Sequence, residues 1–396
     1  MEQFQYYNPD RIIFGSGVRK NVGEECKKRG YSKVLLAVGK GPFRESGLYD
    51  EIAGSIQQQG IPIADMGDID SNPRIDSVRE GVNICKKEKV DAVVALGGGS
   101  TMDCSKVIAA AATVDDDPWN YLWGHRNTFE KSLDTVMVPT IAATGTDINP
   151  FAVVFDTESI NKTFCTAECM YPALTIADPE IMVSVPLRLT VWGAMDMMSH
   201  TFEFYFNGYG KSTFQNRFSE AIIHSIMENV NKLVKDPKDV YARGELWWCS
   251  VMAWGGLTMI GREDPDMAVH TIGEAFVPYY DIHHGACMGV MTPRWMRYAV
   301  ERKPEIFARF AEMIFGIAGG SMEERAKKGV EAYIGWLKSI GAPDTLQDLT
   351  GKTVDDAILR EVADNLSKGS DWQVGRLVVF DREGIYEILT SSCEPL

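Results

Sequence analysis

Four side chains in the second half of the chain have the types and spacing of a metal site. Asp196 and His200 lie four residues apart in an amphipathic pattern, so a helix would place the carboxylate and the imidazole on one face. The chain has only six histidines, and three more of them fall at His270, His283 and His284. One carboxylate and three imidazoles suit a borderline divalent ion such as Fe²⁺ or Zn²⁺, whereas Asp196 and His200 alone would equally suit an ion pair on a helix surface. The predicted ligands are Asp196, His200, His270 and His284.

Two side chains beside these ligands have the chemistry of a proton relay. Glu274 lies one helical turn beyond His270, so both should face the same side of a helix. His283 precedes His284, which we expect to open a turn of small residues. Glu274 or His283 would pass a proton through water or a ribose hydroxyl, and the alternative for each is an orienting hydrogen bond or a place in the core. The candidate catalytic residues are His284, His283 and Glu274.

A glycine-rich turn in the first half has the composition of a phosphate-binding loop. Gly97, Gly98 and Gly99 follow an apolar strand pattern and precede a helix of small residues. Glycines let a ligand approach the backbone, and a helix start offers N–H groups and a positive dipole end to a pyrophosphate. The G-x-G-x-x-G pattern of dinucleotide-binding loops is not met. The structural alternative is a plain strand-to-helix turn, capped by Ser100 with Asp103 completing a capping box.

The elements that must position these groups change in character along the chain. In the first half, β-branched runs alternate with helical patterns, which predicts a parallel sheet covered by helices, with ligands at the carboxyl ends of its strands. From about residue 186, long amphipathic patterns dominate and strand signals disappear. We therefore predict an α/β domain over residues 1–185 and an all-α domain over residues 186–396. The predicted strands are 11–14, 33–38, 91–96 and 135–138, and the predicted helices include 18–29, 48–59, 75–87, 190–206, 216–235, 240–261, 306–315 and 322–340.

Composition excludes several classes of function. The formal net charge of −15 leaves no basic surplus to neutralise nucleic-acid phosphates or to dock on an anionic membrane. No apolar stretch approaches the ~20 residues that a membrane helix needs, and the N-terminal residues lack the pattern of a signal peptide. The eight cysteines are scattered without a framework spacing, which favours reduced thiols. We expect a cytoplasmic enzyme with a small-molecule substrate.

Taken together, these motifs resemble the iron-containing alcohol dehydrogenases, and among them the butanol dehydrogenase-like branch. The resemblance runs nearly end to end and is strongest over 193–203 and 270–298. It implies a Rossmann-like N-terminal domain with a parallel sheet, an all-α C-terminal domain, and a site in the cleft between them, which is the architecture of dehydroquinate synthase. The family's metal ligands fall on the four residues already selected by spacing and clustering.

The resemblance also implies the cofactors and their binding residues. Fe²⁺, with Zn²⁺ as the alternative, would polarise an aldehyde oxygen while C4 of the nicotinamide of NADH or NADPH delivers hydride. The glycine-rich turn would hold the pyrophosphate. We expect a homodimer or a higher homo-oligomer. The residues that would line the cofactor are Asn72, Gly97, Gly98, Gly99, Ser100, Asp103, Thr140, Thr144 and Lys162.

The chain departs from the family's pattern at three positions. Glu274 stands where family members commonly carry a histidine near the substrate, and Phe151 stands where an asparagine often lies near the nicotinamide. Asn149 is the nearest candidate to replace that asparagine. Gly39 stands where NAD-selective members often carry an acidic residue, so both NAD and NADP stay open. The first two departures leave the substrate and the proton relay open.

The resemblance implies hydride transfer between NAD(P)H and a small primary alcohol or aldehyde. A small polar or charged aldehyde is an alternative substrate, and a glycerol dehydrogenase-like polyol dehydrogenase is an alternative enzyme. A dehydroquinate synthase-like lyase shares the architecture, but that reaction needs a pocket for a large polyanionic substrate. A non-catalytic protein that keeps the fold and the cofactor is the remaining alternative, and the intact ligand set argues against it.

Overall fold

The chain divides into two compact units in a computed structural model that describes residues 2–122, 127–208, 210–262, 264–368 and 373–396. The N-terminal unit comprises Tyr7–Val185 and Lys238–Val251. The C-terminal unit comprises Met1–Tyr6, Pro186–Pro237 and Met252–Leu396. No helix among the described residues is long and apolar enough to cross a membrane.

A six-stranded parallel sheet forms the centre of the N-terminal unit. The unit has eight strands among its described residues, six in this sheet and two in a hairpin: β1 (Ile12–Phe14), β2 (Val34–Gly39), β3 (Ile63–Ile69), β4 (Ala92–Gly97), β5 (Asp134–Pro139), β6 (Phe151–Asp156), β7 (Asn161–Thr166) and β8 (Leu174–Ala177). Their order across the sheet is β1-β8-β5-β4-β2-β3, and β6 and β7 form a separate antiparallel hairpin. Strands β2 and β4 lie inside the sheet and are buried along their whole length, which explains their continuous apolar sequences.

Helices cover both faces of this sheet. They are α1 (Val22–Lys28), α2 (Leu48–Gln58), α3 (Ile75–Glu88), α4 (Gly99–Ala111) and the short α5 (Pro179–Met182). Successive residues of β2 point to opposite faces, so Leu36 packs in a cluster with residues of α1 and α2. Its neighbour Leu35 packs in a second cluster with residues of α3 and α4. The sequence prediction of a parallel, helix-covered sheet is confirmed.

The C-terminal unit is built from helices. Its helices are α6 (Leu187–Asn207), α7 (Thr213–Lys235), α9 (Ala268–Tyr280), α10 (His284–Val300), α11 (Pro304–Phe315), α12 (Met322–Ser339), α13 (Leu346–Thr350), α14 (Asp356–Ser367) and α15 (Arg382–Ser391). Helix α8 (Val240–Trp254) lies mainly in the N-terminal unit, which contains its residues 240–251. Helix α6 is buried around most of its circumference, because α7 and α10 both pack against it. The polar side chains that α6 carries are therefore held in the interior, where they need partners.

A buried lysine organises the loop that follows β5. Lys106 lies on α4 with no exposed surface, and its ammonium donates to Thr146 O at 2.8 Å and to Asn149 O at 3.0 Å. It also donates to Phe151 O and lies 3.9 Å from the Asp103 carboxylate. Burial lowers the pKa of Lys106 to about 8, against the opposing effect of Asp103. One side chain thus satisfies several loop carbonyls and ties the loop to α4.

We predict that Lys106→Met will lower the free energy of unfolding by about 3 to 5 kcal/mol, because several loop carbonyls lose their donor and the Asp103 carboxylate loses a neighbouring positive charge. Urea unfolding followed by circular dichroism measures this change. The matched control is Lys232→Met, whose ammonium makes a half-exposed ion pair with Glu228 and should change stability by less than about 1 kcal/mol. Equal losses in the two variants would contradict an anchoring role for Lys106.

Candidate metal centre and cofactor-binding loop

The metal candidates lie on three helices of the C-terminal unit. Helix α6 places Asp196 and His200 on one face, with His200 Nε2 at 3.8 Å from Asp196 Oδ1. Helix α9 contributes His270, whose Nε2 lies 3.9 Å from the same carboxylate oxygen, and α10 contributes His284, whose Nε2 lies 3.5 Å from it. Three imidazole nitrogens therefore converge on one buried oxygen.

These distances fit a divalent cation. Metal–ligand bonds of ~2.0–2.2 Å place neighbouring ligand atoms of a tetrahedral site ~3.4 Å apart. Among the described residues, Asp196, His270 and His284 each offer a ligand atom within 4.8 Å of the others, and His200 joins them through its approach to Asp196. A buried carboxylate surrounded by imidazoles is also costly without a cation. The structure therefore brings together the four residues predicted from the sequence.

The close approach of α10 to α6 depends on a glycine. A Cβ atom at Gly285 would lie 2.4 Å from Trp192 O and 3.1 Å from the Cβ of Asp196. Only glycine lets the first turn of α10 reach the backbone of α6, and that approach carries His284 towards Asp196. We expected His284 to open a turn, and this was wrong. His284 is the first residue of α10, because its small neighbours pack against α6 as part of the helix.

Burial and neighbouring charge set the protonation of these imidazoles. Burial lowers the pKa of His200 well below its ordinary value, and the nearby His270 lowers it further. Burial opposes a proton on His270 as well, but the charge and hydrogen bond of Glu203 outweigh it and raise the pKa of His270 to about 9. A ligating imidazole must be neutral, so a bound divalent ion would take the place of that proton.

Glu203 is a site residue that the sequence analysis missed. Its Oε1 lies 2.6 Å from His270 Nδ1, and Ser199 Oγ lies 3.3 Å from the same nitrogen. Burial raises the pKa of Glu203, while His270 lowers it. The signal was available, since Glu203 lies seven residues after Asp196, two helical turns along the stripe that already contained His200.

The two relay candidates are half-buried. Glu274 lies on α9 one turn beyond His270. Burial lowers the pKa of His270, whereas Glu203, Asp196 and, less strongly, the charge of Glu274 raise it. His283 is the N-cap residue of α10, and its ring centroid lies 4.9 Å from that of Trp192. Both residues are therefore close in the chain to ligand candidates, and their roles stay predictions.

The glycine-rich turn occupies the end of β4 and the start of α4. Gly98 is the N-cap residue in extended conformation, and the helix begins at Gly99. A Cβ atom at Gly97 would lie 2.3 Å from Thr101 Oγ1, and one at Gly99 would lie 2.7 Å from Thr144 Oγ1. The glycines are needed for this close packing. They leave the positive end of α4 without side chains of its own, as a pyrophosphate requires.

The capping box of Ser100 and Asp103, which was the structural alternative for this turn, does not form. The helix begins one residue before Ser100, so the Ser100 hydroxyl instead accepts from the backbone N–H of Asn72 at 3.2 Å. Asp103 accepts from the Thr146 hydroxyl at 2.5 Å and from Val153 N at 3.0 Å. Burial raises the pKa of Asp103, against the charges of Lys106 and other partners. Asp103 thus binds the neighbouring loop rather than its own helix.

The other cofactor candidates surround this turn. Gly39 ends β2, and a Cβ atom there would lie 2.4 Å from Thr101 Oγ1 and 3.7 Å from the Cα of Gly97. Thr140 donates its backbone N–H to Gly97 O at 3.0 Å. Asn72 is buried with a φ of 55°, a conformation that asparagine tolerates better than most residues. These residues meet where the carboxyl ends of β2 and β4 lie side by side.

The last two cofactor candidates, Asn149 and Lys162, have different surroundings. Asn149 is buried, where its amide donates to Gly145 O at 3.0 Å and accepts from the backbone of Phe151 at 3.0 Å. It therefore shapes the loop that Lys106 anchors. Lys162 lies on β7, and its positive charge lowers the pKa of Asp103, against the larger effect of burial. Whether Asn149 and Lys162 also contact the cofactor stays a prediction.

Comparison with known protein families agrees with this architecture. Residues 9–179 match the family model described as iron-containing alcohol dehydrogenase. Residues 190–393 match the model described as the C-terminal part of the Fe-containing alcohol dehydrogenase family. Together the two models cover most of the chain.

Individual relatives span nearly the whole sequence. A probable NADH-dependent butanol dehydrogenase of Bacillus subtilis is 32% identical over 99% of this chain and 100% of its own length. The crystal structure of an NADH-dependent butanol dehydrogenase from Thermotoga maritima superposes with a TM-score of 0.94, at 36% identity over 100% of this chain and 99% of that one. An NADPH-dependent aldehyde reductase of Escherichia coli is 27% identical over 92% of this chain and 94% of its own. These findings confirm the resemblance, including its butanol dehydrogenase-like branch, and the chain belongs to the iron-containing alcohol dehydrogenase family.

Proposed function

We propose that this chain is a metal-dependent dehydrogenase that transfers hydride between NAD(P)H and a small primary alcohol or aldehyde. The observation that carries the proposal is the convergence of three imidazole nitrogens, each within 3.9 Å, on the buried Oδ1 of Asp196. The names of its relatives, NADH-dependent butanol dehydrogenases and an NADPH-dependent aldehyde reductase, support the same reaction class.

The C-terminal unit supplies the electrophilic half of this chemistry. Asp196, His200, His270 and His284 would bind Fe²⁺, or Zn²⁺ as the alternative. The ion supplies Lewis acidity towards the oxygen of the aldehyde or alcohol. One carboxylate and three neutral imidazoles cancel only part of a divalent charge, so this ligand set preserves the positive potential that a Lewis acid needs.

The N-terminal unit supplies the cofactor half. The glycine-rich start of α4 presents backbone N–H groups to a pyrophosphate, and the packing of Thr101 against Gly97 holds this turn in shape. We assign cofactor binding to residues 1–185 and metal binding to residues 186–396. One named relative is NADH-dependent and another is NADPH-dependent. Gly39 has no carboxylate that would repel the 2′-phosphate of NADPH.

We place the enzyme in the cytoplasm as a homodimer or a higher homo-oligomer. No disulfide forms among the described residues, although the chain has eight cysteines. Thiols that stay reduced are typical of a reducing compartment.

The oligomeric state stays a prediction. Phe14 on the edge strand β1 is 50% exposed, and exposed apolar edges often pair with another chain.

The first prediction from this proposed function concerns the ligand set. His284→Ala should weaken metal binding by about 10-fold or more and remove nearly all aldehyde reduction, because the metal loses one of its four protein ligands. Elemental analysis and cofactor oxidation measure the two effects. The control is His224→Ala, since His224 is exposed on α7 and contacts Met313 O instead. Full activity in a metal-free His284→Ala protein would refute the assignment.

The second prediction concerns Glu274. A relay role predicts that Glu274→Gln keeps its metal but has a lower turnover and an altered pH profile. An orienting role predicts loss of metal, with an unchanged profile in the loaded fraction. Glu331→Gln, an exposed carboxylate on α12 that pairs with Arg297, is the control. If Glu274→Gln keeps its metal, turnover and pH dependence, neither role holds.

The third prediction concerns cofactor choice. Lys40 follows Gly39, and its exposed ammonium lies 2.9 Å from Asp70 Oδ1. Lys40→Asp should lower the ratio of kcat/KM for NADPH over NADH by about tenfold, because a 2′-phosphate would meet a negative charge instead of a positive one. The control is Lys33→Asp just before the opposite end of β2, where Lys33 pairs with Glu88. An unchanged ratio would show that this loop does not contact the ribose.

A further inference from the structure

We infer that Glu203 is the positioning residue of the metal centre, and that a buried water links it to Trp295. In this arrangement a chain of hydrogen bonds runs from Trp295 through water and Glu203 to His270. The inference rests on the proposed metal site and adds the group that aims one of its ligands.

The contact between Glu203 and His270 determines which nitrogen can bind metal. Glu203 is buried, and its Oε1 lies 2.6 Å from His270 Nδ1, a short distance typical of a charge-assisted hydrogen bond. A carboxylate at Nδ1 keeps the proton on that nitrogen. The lone pair of the neutral ring then lies on Nε2, which lies 3.9 Å from Asp196 Oδ1.

The backbone fixes the relation between these two residues. Glu203 and Asp196 lie on α6, two turns apart, so one rigid helix carries both the shared carboxylate and the orienting carboxylate. The segment before α9 is joined to α6 where Asp266 N donates to Glu203 O at 3.2 Å. This backbone hydrogen bond therefore helps to fix the position of His270 relative to Glu203.

A small cavity lined by both apolar and polar residues lies behind this contact. Its walls include the side chains of Ser199, Phe202, Glu203, Asp266, Val269, Thr292 and Trp295. Within the described part of the chain, Glu203 Oε2 and Trp295 Nε1 are both buried without a hydrogen-bond partner. Such groups are costly to bury unless something satisfies them, and the cavity has room for about one water molecule.

One water satisfies both groups with its ordinary chemistry. It accepts a hydrogen bond from the indole N–H of Trp295 and donates one to Glu203 Oε2. The second carboxylate oxygen is then held while the first holds His270. Carboxylates behind ligating histidines orient the ring and raise its basicity, and losing them weakens metal binding.

The test is Co²⁺ binding by the full chain after its native metal is removed with a chelator. Both the dissociation constant and the visible absorption of bound Co²⁺ are measured. Glu203→Leu should weaken binding by about 10- to 100-fold. Glu203→Gln should fall between this variant and the wild type, because an amide oxygen still accepts the Nδ1 proton but carries no charge. Trp295→Phe should weaken binding less than Glu203→Leu.

Two matched controls separate positioning from stability. Glu220→Gln alters a buried carboxylate of the same unit that contacts Tyr205 and Arg309. Trp336→Phe removes an indole N–H that donates to Asn231 at 3.1 Å. Both controls should keep the wild-type affinity for Co²⁺ even where their thermal midpoint falls.

Each outcome has a distinct meaning. Wild-type affinity and absorption in a folded Glu203→Leu protein would overturn the positioning role, and so would equal losses in the Glu203 and Glu220 variants. If Glu203→Leu does not fold, Glu203→Gln decides in the same way. Wild-type affinity in Trp295→Phe would overturn the water link. A wild-type protein that binds no Co²⁺ would instead contradict the proposed metal site itself.

Discussion

The organisation of the C-terminal unit depends on one buried carboxylate. Asp196 lies inside α6, where an uncompensated negative charge is costly, and the three nearest imidazoles come from α6, α9 and α10. The helices can approach so closely only because Gly285 has no side chain against Trp192 O. The packing of these helices therefore brings the four candidate ligands together, and their buried carboxylate is the group that a cation would compensate.

A different constraint shapes the glycine-rich turn at the start of α4. Thr101 Oγ1 occupies the space that a Cβ atom would need at Gly39 and at Gly97, so two strand ends and the start of α4 pack around a single hydroxyl side chain. This explains in physical terms why residue 39 is glycine here. An acidic side chain at this position would require Thr101 to move. The departure from the family's pattern is thus coupled to packing as well as to cofactor choice.

The sequence predicted those features that depend on local spacing or on continuous burial. The ligand pair on α6 follows from helical geometry, and β2 and β4 follow from apolar runs that are buried on both sides. Strand β3 was not identified, because it lies at the sheet edge and contains Asp65 and Asp68 in an irregular burial pattern. Strand β8 was not identified either, because it has only four residues. The capping box does not form because Asp103 accepts hydrogen bonds from Thr146 and Val153, and no local sequence pattern predicts these long-range contacts.

The two carboxylates near His270 show why sequence spacing alone does not find every supporting residue. Glu274 shares a helix with His270, so the i, i+4 rule selects it as the candidate. The carboxylate that accepts a hydrogen bond from His270 Nδ1 instead belongs to Glu203 on α6, 67 residues away. A residue on the same helix can share a face with an imidazole, but a residue on a packed neighbouring helix can approach the ring from behind. Because Glu203 holds Nδ1 of His270, an orienting role for Glu274 remains open at another ligand candidate such as His284, and its relay and orienting roles both stay predictions.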